Sequence, residues 1–160
     1  SGCASPSKKR YFPSFEYMFV FSKGFPTTFN PIQDRENKWR ERWGKNRKKR
    51  LKDGSFGSEY KAKKAPQFGM RYNIWKYHQG FQKKSEDEYD HPAVFPENLA
   101  HDHIISWSNE GDIVYDPFLG SGTTAKMAKM THRKYTGSEI NEDYFKIAQK
   151  RIEQTQEYFF

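Results

Sequence analysis

The chain has 160 residues, 34% of them hydrophobic, and its 28 Lys and Arg exceed its 20 Asp and Glu to give a net charge of +8. That length suffices for a single domain, but the apolar content allows only one modest core, expected within residues 91–160, while an aromatic share of 18% argues against simple disorder. A lone cysteine, Cys3, excludes an internal disulfide; no apolar run approaches the roughly 18 residues of a membrane span and no signal-peptide pattern opens the chain, so a reducing cytosol is the expected compartment.

Residues 1–14 read as an extended, basic lead-in, and the aromatic and β-branched run 15–21 as a strand. Positive charge then concentrates between Arg35 and Lys64, where Trp39, Trp43, Phe56 and Tyr60 are interleaved with the cations. Cationic side chains neutralise phosphates and release counterions, and rings stack on exposed bases. Arg40, Arg42, Lys45, Arg47, Lys48, Lys49, Arg50 and Lys52 are therefore candidate contacts to a duplex backbone. The plainer reading of the same charges is a solvated insertion. Gly44, Asp53-Gly54 and Gly57 mark turns, a short helix is predicted over 35–43 and a strand over 72–77, before an acidic turn at 85–90.

Pro96 suits the first turn of a helix that carries Leu99, Ile104 and Ile105 on one face. Phe95 and Pro96 either border a ligand site or only staple the start of that helix. His101-Asp102-His103 resembles a metal cluster superficially, but adjacent helical positions diverge and helical metal ligands stand at i and i+4. No metal site is expected.

The most informative run is Asp112-Ile113-Val114-Tyr115-Asp116-Pro117-Phe118-Leu119-Gly120-Ser121-Gly122-Thr123-Thr124, an apolar strand, a glycine-rich acidic turn and a helix start. Gly120 and Gly122 permit positive φ and remove Cβ atoms from the path of a ligand, and the helix beginning at Thr123 and Thr124 offers free N–H groups. No Lys follows the glycines, as a Walker loop requires, and Ala125 stands where the dinucleotide fingerprint has its third glycine. Asp116 would repel a pyrophosphate and attract an ammonium, so the ligand expected is one such as S-adenosylmethionine. The segment 133–140 reads as a second strand ending in Glu139, at the distance where a carboxylate accepts ribose hydroxyls, with Ile140 flanking the adenine. A final helix over 142–157 puts Tyr144, Ile147, Ala148 and Ile152 on a core face.

His91-Pro92-Ala93-Val94-Phe95-Pro96-Glu97-Asn98-Leu99-Ala100, the turn 116–124, and Gly137-Ser138-Glu139-Ile140-Asn141-Glu142-Asp143-Tyr144 followed by Arg151-Ile152 resemble the β-class amino-group DNA methyltransferases of prokaryotes and phages. The segments 8–23 and 73–75 resemble, more loosely, the strands that enter and leave that class's recognition region. The resemblance implies an α/β fold: part of a Rossmann-like methyltransferase sheet (1–22), an inserted basic, loop-rich target-recognition region (23–90), and an S-adenosylmethionine-binding subdomain (91–160). It implies methyl transfer to the exocyclic amine of a flipped base, N6 of adenine in preference to N4 of cytosine, within a restriction-modification context. Asp116, Pro117, Phe118, Gly120, Ser121, Gly122, Thr123, Thr124, Glu139, Ile140, Phe95 and Pro96 would hold the cofactor.

The chain departs from that class in one respect. The catalytic Asp/Asn/Ser-Pro-Pro-Tyr/Phe tetrapeptide is absent, and no Pro-Pro pair occurs anywhere. The expectation is a fragment or half-enzyme, inactive alone, completed by an N-terminal half or a complementary chain, with a homodimer as a further arrangement. A non-catalytic DNA-binding module with a vestigial turn, or an RNA or protein methyltransferase, are the alternatives.

Overall fold

The computed structural model describes residues 15–38, 40, 46–61, 64–77 and 96–156. Pro31–Trp75 forms one compact unit, and the described residues on either side of it form the other. Residues 28–30 are engaged by the C-terminal residues of their own unit. The Asn30 backbone N–H donates to Ser106 O (2.8 Å), and its side-chain amide donates to Ile105 O (3.2 Å) and Ser108 O (3.1 Å). These are carbonyls that the end of a helix otherwise leaves unsatisfied. Phe29 lies beside Trp107, ring centroids 4.9 Å apart.

In the Pro31–Trp75 unit, β1 (Arg35–Glu36) pairs antiparallel with β4 (Phe68–Gly69), and β2 (Asn46–Arg50) with β3 (Phe56–Lys61). The helix predicted over 35–43 is thus corrected at its start, since Arg35 and Glu36 are strand residues facing Gly69 and Phe68. Tertiary pairing overrides local propensity there: the Arg35 side chain donates to Met70 O (2.9 Å) and lies over the Tyr72 ring at 5.0 Å. The strand predicted over 72–77 has no ladder partner among the described residues. Arg71 instead sends its backbone N–H to Ile32 O (2.8 Å) and its guanidinium to Asp34 (2.6 Å), while Tyr72 and Ile74 stay exposed.

The other unit runs α1 (Glu97–Trp107), β5 (Ile113–Asp116), α2 (Thr123–Met130), β6 (Lys134–Gly137) and α3 (Glu142–Gln154). It is a β-α-β unit with β5 and β6 parallel, Asp116 level with Gly137, so the fold class is α/β as expected. Pro96 precedes α1 as its N-cap instead of sitting within the first turn, and its carbonyl accepts from Leu99 and Ala100. Ala100 and Ile104 of α1 pack on Met127 and Ala128 of α2, with Val114 beneath them, which puts the core within 91–160. On α3 only Ala148 is buried; Tyr144, Ile147 and Ile152 are half-buried. Asn141 caps α3, its side-chain oxygen accepting from the N–H groups of Asp143 (2.9 Å) and Tyr144 (3.1 Å).

The run 15–21 is extended but has no ladder partner among the described residues. Its rings instead contact each other two residues apart, Phe15 with Tyr17, Tyr17 with Phe19 and Phe19 with Phe21 at 5.0–6.2 Å, the period of an extended backbone.

Candidate cofactor site

The site is built where β5 and β6 end. Residues at the carboxyl ends of parallel strands face the same crevice, and the register puts Asp116 beside Gly137, two residues before Glu139. A side chain at Gly137 would meet Asp116 O at 2.8 Å and Leu119 at 3.2 Å, so only glycine lets the two strand ends lie this close. The turn between β5 and α2 is then fixed by its own hydrogen bonds. Phe118 N donates to Asp116 Oδ1 (2.9 Å), Leu119 N to Ser138 O (2.9 Å), Gly120 N to Glu139 Oε2 (2.7 Å) and Gly122 N to Leu119 O (2.9 Å). Glu139 Oε1 also accepts from Asn141 N at 2.9 Å. The two carboxylates thus converge on one turn, and each holds a backbone N–H of it.

That leaves a definite set of groups facing outward. Asp116 Oδ2 has no hydrogen-bond partner among the described residues. Phe118 is 87% exposed and Ile140 fully exposed, two apolar side chains at the mouth of the turn. The first N–H groups of α2, at Thr123 and Thr124, begin the helix there. Such an arrangement suits a ligand with an ammonium, hydroxyls and a flat apolar ring.

Other residues named from the sequence face inward. Gly122 has φ +83°, and a Cβ on it would lie 2.9 Å from Ala148 Cβ, so the space beside its Cα is filled by α3. Ser121 and Thr123 are buried against Arg151, which donates to Ser121 O (2.7 Å), Ser121 Oγ (2.8 Å) and Thr123 Oγ1 (3.4 Å). Arg151 also reaches Glu97 Oε1 (3.0 Å), and the Lys126 ammonium meets the same oxygen at 2.6 Å. One carboxylate therefore ties α1, α2 and α3 together behind the turn. Pro117 is exposed, and Phe95 lies outside the described residues.

Arg151, Glu97 and Lys126 were not singled out as site residues from the sequence. Their partners stand far away in the chain, and only the glycine turn hinted that something must brace it.

Among the named cations, Arg40, Lys48, Lys49, Arg50 and Lys52 are exposed, whereas Arg42 and Lys45 lie outside the described residues. Arg47 belongs to β2. Asp102 is engaged by the Tyr77 hydroxyl (2.7 Å) and His101 Nδ1 (2.9 Å). Burial pushes the His103 imidazole below its ordinary range, with Asp102 partly opposing that shift. Among the described residues no three His, Cys, Asp or Glu side chains are gathered as a metal site, and no helix is long and apolar enough to cross a membrane.

The chain is similar to known proteins. The orphan methyltransferase M.BamHII of Bacillus amyloliquefaciens is 52% identical over 155 residues, 92% of this chain and 57% of that protein. The DNA adenine methyltransferase YhdJ of Escherichia coli is 45% identical over 73 residues, 45% of this chain and 25% of that protein. A crystal structure of an M1.HpyAVI–SAM complex aligns with 51% of this chain and 42% of its own, at 32% identity and a TM-score of 0.42. The chain thus spans little more than half of the relative it matches over most of its length. Residues 1–150 match the DNA methylase model of the N6/N4 methyltransferases, and the chain belongs to that family.

Proposed function

We propose that this chain is the S-adenosylmethionine-binding and target-recognition part of a DNA amino-methyltransferase. The observation that carries the reading is the convergence of Asp116 and Glu139 on one preformed turn, with Asp116 Oδ2 left without a hydrogen-bond partner among the described residues. Asp116 would take the ammonium of the methionine portion and Glu139 the ribose hydroxyls, with Phe118 and Ile140 beside the adenine. Thr123 and Thr124 would meet the carboxylate through the N–H groups that open α2. Because those hydrogen bonds already exist without ligand, binding orders little further backbone.

The cofactor supplies the methyl group; this chain holds it and contributes a basic surface for the duplex. We assign 23–90 to target recognition and 91–160 to the cofactor, with 1–22 belonging to the methyltransferase sheet. A target amine within a duplex is paired, so the base is extruded before transfer. Adenine N6 is preferred over cytosine N4, a choice supported by the name of the YhdJ relative. No Asp/Asn/Ser-Pro-Pro-aromatic tetrapeptide stands in these residues, so the groups that contact the base belong to a complementary segment, and the 160 residues alone do not methylate DNA.

Calorimetry tests the assignment directly. S-adenosylmethionine is expected to bind the chain, D116A to weaken that binding at least tenfold, and methyl transfer to DNA to stay at background. No uptake of S-adenosylmethionine, or equal binding by D116A, refutes the cofactor reading; transfer by the chain alone refutes the division of labour.

A further inference from the structure

Residues 46–61 hold six cations and two acids, and they fold as a two-stranded ribbon. Lys48, Lys49, Arg50 and Lys52 are exposed, and among the described residues none of them enters an ion pair. Both faces of the ribbon are open, with Phe56 68% and Tyr60 51% exposed. A hairpin without a packed face is marginal in water, so like charges crowded along one strand need a reason. The tip, in contrast, is carefully held. Leu51 N donates to Ser55 O (2.8 Å), Gly54 N to Leu51 O (3.0 Å) at φ +86°, and Asp53 Oδ1 accepts from the hydroxyl (2.7 Å) and N–H (2.9 Å) of Ser55. Those two bonds, the hydroxyl first, hold the Asp53 carboxyl below its ordinary range. The nearest acid at the tip is thereby committed to the turn, while Lys52 beside it stays outward.

The register slips between Lys48 and Arg50, where Lys48 faces Glu59 but Arg50 faces Phe56. Two residues of β3, Gly57 and Ser58, therefore stand opposite Lys49, a bulge that strengthens the twist of the ribbon. Five residues of β2 extend about 17 Å, and paired strands lie about 4.8 Å apart. A twisted ribbon of that width enters a major groove about 12 Å wide, whose walls are phosphates. We propose that the β2–β3 hairpin lies in the major groove of duplex DNA, with Lys48, Lys49, Arg50 and Lys52 on the phosphates. This rests on the reading above only for the identity of the polyanion.

The test uses the full chain and a fluorescein-labelled duplex, with anisotropy followed against salt. In the variant K48Q/K49Q/R50Q/K52Q the slope of log K against log salt is expected to become shallower by about 2–4, since each phosphate contact contributes about 0.9. A duplex carrying glucosylated hydroxymethylcytosine, which fills the major groove, is expected to lose binding, and netropsin in the minor groove to leave it intact. An unchanged slope, displacement by netropsin, or tighter binding of structured RNA than of duplex overturns the proposal. G54V, which disturbs the tip and no charge, is expected to weaken binding while leaving the number of cations unaltered; equal affinity would speak against a formed hairpin. S-adenosylmethionine uptake is measured on the same proteins, so a failure of the cofactor reading appears separately from a failure of the ribbon.

Discussion

Substituting Gly122 by Ala tests whether α3 sits where the turn needs it. An L-residue at φ +83° carries about 1–2 kcal/mol of backbone strain. The new methyl would also stand 2.9 Å from Ala148 Cβ and 3.0 Å from its Cα, where neither helix can retreat freely, an overpacking of about 1–3 kcal/mol. The sum, about 2–5 kcal/mol, is a large part of the stability of an ordinary domain. Urea unfolding should show a lower midpoint at an unchanged slope. In G122A/A148G the Cβ collision vanishes while the strained φ and the Cα approach remain, so the double variant should recover only part of the loss and the two changes should not add. A G122A midpoint equivalent to within about 0.5 kcal/mol of the parent, or strict additivity with A148G, refutes the contact as the reason for glycine here.

Four further outcomes are expected. E139Q keeps one acceptor for the Gly120 and Asn141 N–H groups and loses the charge, so S-adenosylmethionine affinity should fall about tenfold, roughly 1.4 kcal/mol; a change under threefold by calorimetry would contradict this. R151M removes every bond to Ser121 and should cost about 2–3 kcal/mol in urea, with R151K restoring less than half because an ammonium cannot span Ser121 and Glu97 together. N30A should speed amide exchange across 104–109 by freeing the end of α1, and a pattern like the parent's would show that Asn30 is dispensable. For His103 the folded pKa lies below the unfolded value of about 6.5, so between the two the unfolded chain binds more protons. Its contribution is therefore complete above about pH 6.5 and is lost as pH falls through the folded value; H103N should flatten the urea midpoint between pH 7 and pH 5, and an unaltered pH slope would dismiss the effect.

The unit from β5 to α3 was legible because its signals are local. Glycines, an apolar run and the Asn141 cap each act within a few residues, and the helices and strands appear where that chemistry puts them. Elements that depend on a distant partner were not legible. The alternation in 15–21 and 72–77 carries strand propensity but does not specify a partner, and neither run forms a ladder among the described residues. Conversely β2, Asn-Arg-Lys-Lys-Arg, has no apolar alternation at all and pairs only because the Asp53-Gly54 turn folds β3 back upon it. The inward roles of Gly122, Ser121 and Thr123 escaped the same way, since a small or hydroxyl residue beside a ligand turn looks identical whether it faces the ligand or a helix.

Parallel strands are ordinarily covered on both faces, yet among the described residues α1 and α2 cover the Val114 side alone. Ile113 and Tyr115 project from the opposite side and are 68% and 62% exposed. Burying that pair would contribute about 3–5 kcal/mol, comparable to the margin by which small domains stay folded. A segment that covered this face would thus stabilise the two strand ends on which Asp116 and Glu139 depend. If the complementary part of the enzyme does so, adding it should raise cofactor affinity and unfolding midpoint together, whereas I113A/Y115A should uncouple them; a complement that restored methylation without shifting either quantity would mean that the bare face has another purpose.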